Sequence, residues 1–378
     1  MSRSFRARAV LVAVLATAIP AAAQSQAVIK VNDSVSVKIG FLSQIWGDFN
    51  QNVRQDTSFS QSIFLRRIRL LVGAQIGSRV NVFFETDAPN LGRTTASATG
   101  GKALGSQVIV QDAYVEIKPG ATNAFLLTAG LQLIPLCRNC LESAVSLLPI
   151  DYGSYSFLQS GPSGSSVGRD VGFQAKGYLY DNKVEYRAGI FSGARQANGA
   201  GVFTSSNSLR GAGRIQVQLL EAEAPTYSYA GTYFGKRKVL ALGAGVDAQG
   251  RYKAFAGDAF LSYPMGNNGV TAQTNFIHYD GDTFFIGVPK QNTFEIEGGY
   301  HISDAKFTPF AKFERRSYDT KTVAFQDENR FQLGGTYYMA GHNLNFKAAY
   351  TRASLDQQAP ASSLTQNGFT IQLQGFYY

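Results

Sequence analysis

The feature that most constrains this chain is a two-residue rhythm of apolar and polar side chains, recurring in short segments almost to its end. In 293–300, Phe294, Ile296 and Tyr300 share one parity and Glu295 and Glu297 the other. An extended strand sorts such residues onto two faces, whereas a helix scatters them around its axis. Sixteen segments read this way: 35–41, 64–76, 80–87, 109–118, 125–132, 170–179, 184–191, 210–220, 239–246, 252–263, 270–279, 293–300, 306–314, 329–338, 343–350 and 368–378. No apolar run reaches the 18 residues a membrane-crossing helix needs. The expected fold class is therefore all-β, a transmembrane antiparallel β-barrel of about sixteen strands. An even count suits a closed sheet, which leaves no unpaired backbone in hydrocarbon.

The first residues are set aside before any fold is argued. Arg3, Arg6 and Arg8 precede an apolar stretch over 9–20, and Ala21, Ala22 and Ala23 supply a small-residue cleavage site. Residues 1–23 thus read as an export signal, followed by one barrel domain over 24–378. The signal's three arginines lower the net charge from +9 to +6. The remaining basic residues are scattered along strands and form no patch, which argues against a nucleic-acid surface. With 19 Tyr, 27 Phe and only 16% charged residues, the composition suits a wall with lipid outside, water inside and aromatic rims.

Polar stretches at 92–107, 193–208 and 355–366 read as outer loops, and 181–183 and 266–269 as tight turns. One connection breaks the pattern. Residues 134–168 carry Pro135, Pro149 and Pro162 and join two clear strands. A long loop without structure of its own is usually functional, so this third long loop is expected to fold inward and narrow the lumen.

Several ordered motifs resemble the phosphate-selective porin family (porins O and P). They are Phe64-Leu65-Arg66-Arg67-Ile68-Arg69-Leu70, Val80-Asn81-Val82-Phe83-Phe84-Glu85-Thr86-Asp87 and Gln111-Asp112-Ala113-Tyr114-Val115-Glu116. They continue through Gly130-Leu131-Gln132-Leu133-Ile134-Pro135, Gly168-Arg169-Asp170-Val171-Gly172-Phe173-Gln174 and 334–344. The resemblance implies a sixteen-stranded outer-membrane barrel in a homotrimer, passing small anions such as phosphate or chloride past a constriction lined by Arg and Lys. Where relatives carry Phe-Gly-x-Glu after the loop-opening proline, this chain has Leu136-Cys137-Arg138; it also lacks a Glu-Arg pair late in the loop. Phosphate selectivity is therefore not carried over. The aromatic C-terminus fits a signal for the barrel-assembly machinery, although Tyr378 falls on the opposite parity to Phe369, Ile371, Leu373 and Tyr377.

In a water-filled barrel, selectivity comes from lumen charges where the passage is narrow. The candidate pore-lining, anion-binding side chains are Arg67, Arg69, Lys176, Arg187, Arg214 and Lys312, together with Lys38 and Lys347, all opposite the apolar parity. Arg138 and Arg169 sit at the two ends of the long loop and are the expected charges of the constriction. The competing expectation is that these cations pair with Asp112, Glu116, Glu185, Glu295, Glu297 or Glu314 in ion networks of the wall. Cys137 and Cys140 are the only cysteines. In an oxidising compartment a disulfide stiffening the start of the loop is expected over a redox motif or half a zinc site. Gly164-Ser165-Ser166-Val167-Gly168 matches a nucleophile elbow but lacks the strand before and the helix after. Trp46, Tyr337, Tyr338, Tyr350, Phe376 and Tyr377 are expected as an interfacial girdle, with sugar stacking as the alternative.

No catalytic residues, metal site or cofactor are implied. The chain reads as an outer-membrane porin for passive diffusion of small hydrophilic solutes, with a preference for anions. The alternatives are a specific phosphate, polyphosphate or oligosaccharide channel and, more remotely, a secreted soluble β-sandwich.

Overall fold

The computed structural model describes residues 28–51, 58–94, 104–105, 107–163, 167–195, 208–225, 227–356 and 364–378, without the side chains of 162 and 163. The export signal and the match to a nucleophile elbow at 164–166 lie outside the described residues. The strands are β1 (Val28–Asn32), β2 (Val35–Gln51), β3 (Phe59–Ile76), β4 (Val80–Asp87), β5 (Ile109–Ile117), β6 (Leu126–Leu133), β7 (Arg169–Leu179), β8 (Val184–Phe191) and β9 (Arg210–Gln218). They continue as β10 (Val239–Gln249), β11 (Tyr252–Met265), β12 (Asn268–Asp280), β13 (Gln291–His301), β14 (Phe307–Tyr318), β15 (Glu328–Ala340), β16 (Leu344–Leu355) and β17 (Leu364–Tyr377).

From β2 to β17 each strand pairs antiparallel with its neighbour in the chain. β17 then pairs back onto β2, with Phe369 opposite Phe49 and Tyr377 opposite Phe41, so sixteen strands form a closed ring. These strands are the sixteen segments expected from the alternation. β1 is additional, a short strand folded back on the start of β2. One closed sheet rules out the two-sheet sandwich. The alternation is sharpest in β9, where Arg210, Ala212, Arg214, Gln216 and Gln218 are buried and Gly211, Ile215 and Val217 are exposed. The outer face carries an apolar band that includes Leu70, Ile215, Val217, Val246 and Ile296.

The parity slips once where it matters. Gln44 of β2 pairs with Arg67 but the next residue, Ile45, pairs with Leu65, which leaves Arg66 as a bulge. A bulge gives one strand an extra residue and re-aims its side chains. Arg66 and Arg67, adjacent in sequence, therefore both reach Asp151.

Residues 134–168 connect β6 to β7, and their contacts are with the polar-parity side chains of the wall. Gln44 and Gln374 donate to the Ala144 and Val145 carbonyls at 3.0 and 2.9 Å, and bond to each other across the closing seam. Lys347 donates to the carbonyls of Leu147 and Pro149 at 2.5 and 2.7 Å. Glu314 accepts from the amide and hydroxyl of Ser154. Tyr279 donates to the Tyr155 and Ser156 carbonyls. The backbone of Leu136 lies against β10 so closely that a Cβ at Gly245 would sit 1.9 Å from its oxygen. Cys137 and Cys140 are joined by a disulfide beside a single 3-10 turn at Asn139–Leu141.

Apolar residues of this segment fill one side of the barrel. Leu148 and Ile150 pack with Trp46, Phe64 and Phe310. Leu136 and the disulfide pack with Tyr252, Ile277 and Tyr279. This corrects part of the expected girdle. Trp46 is buried and Phe376 packs with Leu42 and Val145, because their parity faces the segment and not the outer band, and Tyr338 is buried on the same inward parity against Phe234. Tyr337 and Tyr350 remain exposed on the outside.

Candidate pore

Between the wall from β2 to β8 and the 134–168 segment lies a cavity of about 140 Å3. Its charged lining comprises Arg69, Arg169, Lys176 and Arg187 against Glu85, Asp112, Glu116 and Glu142. Four cations thus face four carboxylates. At one end it becomes aromatic, with Phe83, Tyr114, Tyr227, Phe376 and Tyr378. The Phe83 ring lies 4.6 Å from Tyr227 and 5.6 Å from Tyr114.

Eight of the ten basic residues proposed for the lumen carry an acidic partner, while Lys38 meets an aromatic ring and Lys347 meets backbone carbonyls. Arg67 meets Asp151 at 2.5 Å, and Arg69 meets Glu85 and Asp87 at 2.7 and 3.0 Å. Arg169 holds Asp112 at 2.9 Å, Lys176 holds Glu116 at 2.6 Å and Arg187 holds Glu185 at 2.6 Å. Arg214 reaches Asp258 at 2.5 Å across β10. It can do so because residue 243 is glycine, where a Cβ would lie 2.1 Å from the guanidinium. Lys312 sits among Glu295, Glu297 and Glu314 at 3.2, 4.0 and 3.7 Å.

The sequence-expected residues divide by position. Arg69, Arg169, Lys176 and Arg187 line the cavity, and Arg67, Lys312 and Lys347 bind the 134–168 segment. Lys38 lies over the Tyr378 ring at 4.6 Å. Arg138 is the correction. Its side chain is 0% exposed and lines no part of the cavity, because Glu223 takes it in a bidentate pair at 2.7 and 2.9 Å. Its guanidinium stacks over Phe260 at 3.6 Å and Tyr229 at 4.6 Å.

The charges are also segregated. Lys176 is directly opposite Arg187, and Arg187 opposite Arg214, so cations run across β7, β8 and β9. Between β13 and β14, Glu295 lies opposite Glu314 and Glu297 opposite Lys312. Like charges in register repel. The strands tolerate them here because each charge is partnered: by Glu116 from β5, Glu185 within β8, Asp258 from β11 and Ser154 from the inserted segment.

In the 134–168 segment, burial raises the Asp151 carboxyl, but Arg66 and Arg67 outweigh it and hold the group well below the usual carboxylate range. Glu142 goes the other way. Burial pushes it up to about 7, against the pull of Arg138 and with the repulsion of Glu295. Burial disfavours the charge on Arg138, yet Glu223 and Glu142 raise it above its ordinary value.

Sequence reasoning missed Arg66, Asp151, Glu142, Glu223, Tyr227 and Tyr229. The gap between the segments ending at 220 and starting at 239 was the available signal, since connections on that end of the barrel are otherwise short. Among the described residues no three His, Cys, Asp or Glu converge as a metal site.

No family model matches the chain, and no curated protein matches it. The resemblance to the phosphate-selective porins is therefore not supported at family level. Solved structures do share the fold. The outer-membrane channel DcaP of Acinetobacter baumannii superposes with a TM-score of 0.57 at 10% identity, over 92% of this chain and 99% of that one. The outer-membrane protein OmpT of Vibrio cholerae gives 0.53 at 14% identity, over 93% of this chain and 100% of that one. At such identities the likeness establishes the fold, that of an outer-membrane barrel.

Proposed function

We propose that this chain is an outer-membrane porin, a non-enzymatic pore through which small hydrophilic solutes diffuse. The observation carrying this reading is the cavity inside a closed sixteen-stranded ring, lined by paired charges and bounded by an inserted segment. The outward band of Ile, Leu, Val and Phe supports a lipid surround, since soluble monomers rarely expose apolar patches of that extent. The shared fold with a solved outer-membrane channel supports the location. One solved form of OmpT of Vibrio cholerae is described as a trimer, and we carry homotrimerisation to this chain as part of the proposal.

Taken as a set, the basic residues point to anion preference; their pairing with carboxylates argues for little net preference. With four cations and four carboxylates along the cavity, the passage favours polar solutes of either sign. A phosphate-specific channel would call for cations whose charge is not already neutralised. The test is the zero-current potential of the detergent-folded protein in a planar bilayer under a potassium chloride gradient. A stable conductance with a potential close to zero is the expected result. Strong chloride preference would restore the anion-selective channel, and no conductance from folded protein would remove the transport function.

A further inference from the structure

The connection over 219–238 enters the barrel from the end opposite the 134–168 segment. Strand parity requires this: 134–168 follows β6, 219–238 follows β9, and three strands separate them. The hairpin extends as far as Glu221, whose amide bonds the Lys238 carbonyl. From there the chain turns inward and crosses the mouth. Tyr178 donates to the Pro225 carbonyl, Tyr227 reaches Phe83 on β4, Tyr229 donates to Glu185 on β8, and Thr232 bonds Thr271 on β12. Phe234 then lies tilted against His342 at 4.4 Å and edge-on to Tyr338 at 4.8 Å, on the far side of the ring.

The two inserted segments are joined to each other. Tyr229 forms a parallel bridge with Glu142, and its amide and carbonyl bond Leu141 and Ser143 at 3.0 and 2.9 Å. Gly231 donates to the Ser146 hydroxyl at 3.2 Å. Arg138, wholly buried, pairs with Glu223 and donates to the Ala230 carbonyl at 3.1 Å. Tyr233 also donates to Glu223, at 2.5 Å. A buried charge pair of this kind is strongly destabilised when one partner is removed.

We propose that residues 222–237 are a second constriction element, which sets the size limit of the passage together with the 134–168 segment. It seals the lumen beneath Arg138 and lends Tyr227 and Ser228 to the lining of the cavity that remains. The inference rests on reading the barrel as a porin. Narrowing then comes from both mouths, and the Arg138–Glu223 pair holds the two halves in register.

The test replaces 223–235 with a four-residue Gly-Ser linker and, separately, makes Glu223→Lys in the full chain. Heat-modifiable migration selects the folded barrels, and single-channel conductance is read beside liposome swelling with a monosaccharide and a trisaccharide. The linker variant is expected to conduct several-fold more current than the parent and to admit the trisaccharide, and Glu223→Lys to give frequent transitions to that larger level. Conductance and exclusion unchanged from the parent in both folded variants would overturn the inference and leave the porin reading standing. A silent parent with a conducting linker variant would uphold the segment as an occluding element while removing the open porin as the resting state. Silence from every folded barrel would overturn both.

Discussion

At the scale of single residues, the pore's chemistry depends on where the inserted segment places two carboxyls. Asp151 is held low by Arg66 and Arg67, so its contribution to stability is present throughout the neutral range and is lost only in strong acid. Asp151→Asn leaves Arg67 buried without its anion. A fully buried broken pair costs about 3–5 kcal/mol, and the partial exposure of Asp151 puts this one at or below the lower end. The expected outcome is faster amide hydrogen exchange across 134–163 with barrel strands unaffected. Glu142 has the opposite sign. Its pKa rises from an ordinary 4.5 to about 7 on folding, so the folded state holds a proton the unfolded chain has released between those values. Stability from this group is therefore full below pH 4.5 and declines as pH rises to 7. Because Glu142 lines the cavity, its protonation leaves four cations facing three carboxylates. Zero-current potential should move towards chloride preference between pH 8 and pH 6, and Glu142→Gln should hold that preference at both.

At the scale of elements, the sixteen strands were legible because membrane strands obey one strict rule, apolar outward and polar inward, at a period the backbone imposes. Long length and three prolines marked 134–168 as the exceptional connection. What stayed hidden needed information between strands. Arg66 carries the parity of an outward residue, and only the bulge opposite Gln44 and Ile45 turns it towards Asp151. The partners of Lys176 and Arg214 lie two strands away, past Thr128 on β6 and Gly243 on β10, so pairing could not be read from neighbouring segments. Trp46 and Tyr338 looked like rim aromatics because sequence does not distinguish a ring at the interface from one pressed against an inserted loop. The outward parity can be tested directly at Val217, which is exposed on the face of β9 that also carries Ile215. Val217→Arg should cost roughly 2–4 kcal/mol if it lies near mid-membrane depth, seen as a lower yield of heat-modifiable barrel than Gln216→Lys gives on the inner face of a separately prepared variant.

At the scale of the whole molecule, hairpins between chain neighbours build nearly the entire wall, and one pairing of distant strands completes it. Gln44 and Gln374 meet across that seam although 330 residues separate them, a contact whose entropic cost is met only when the rest of the ring is in place. Both glutamines also bond the inserted segment, at Ala144 and Val145. A slip of one residue between β2 and β17 would turn one of these glutamines outward and leave its carbonyl without a donor. The inserted segment therefore also acts as a gauge for assembly: it reads the register of the first and last strands of the ring from inside and rewards only the alignment that closes it.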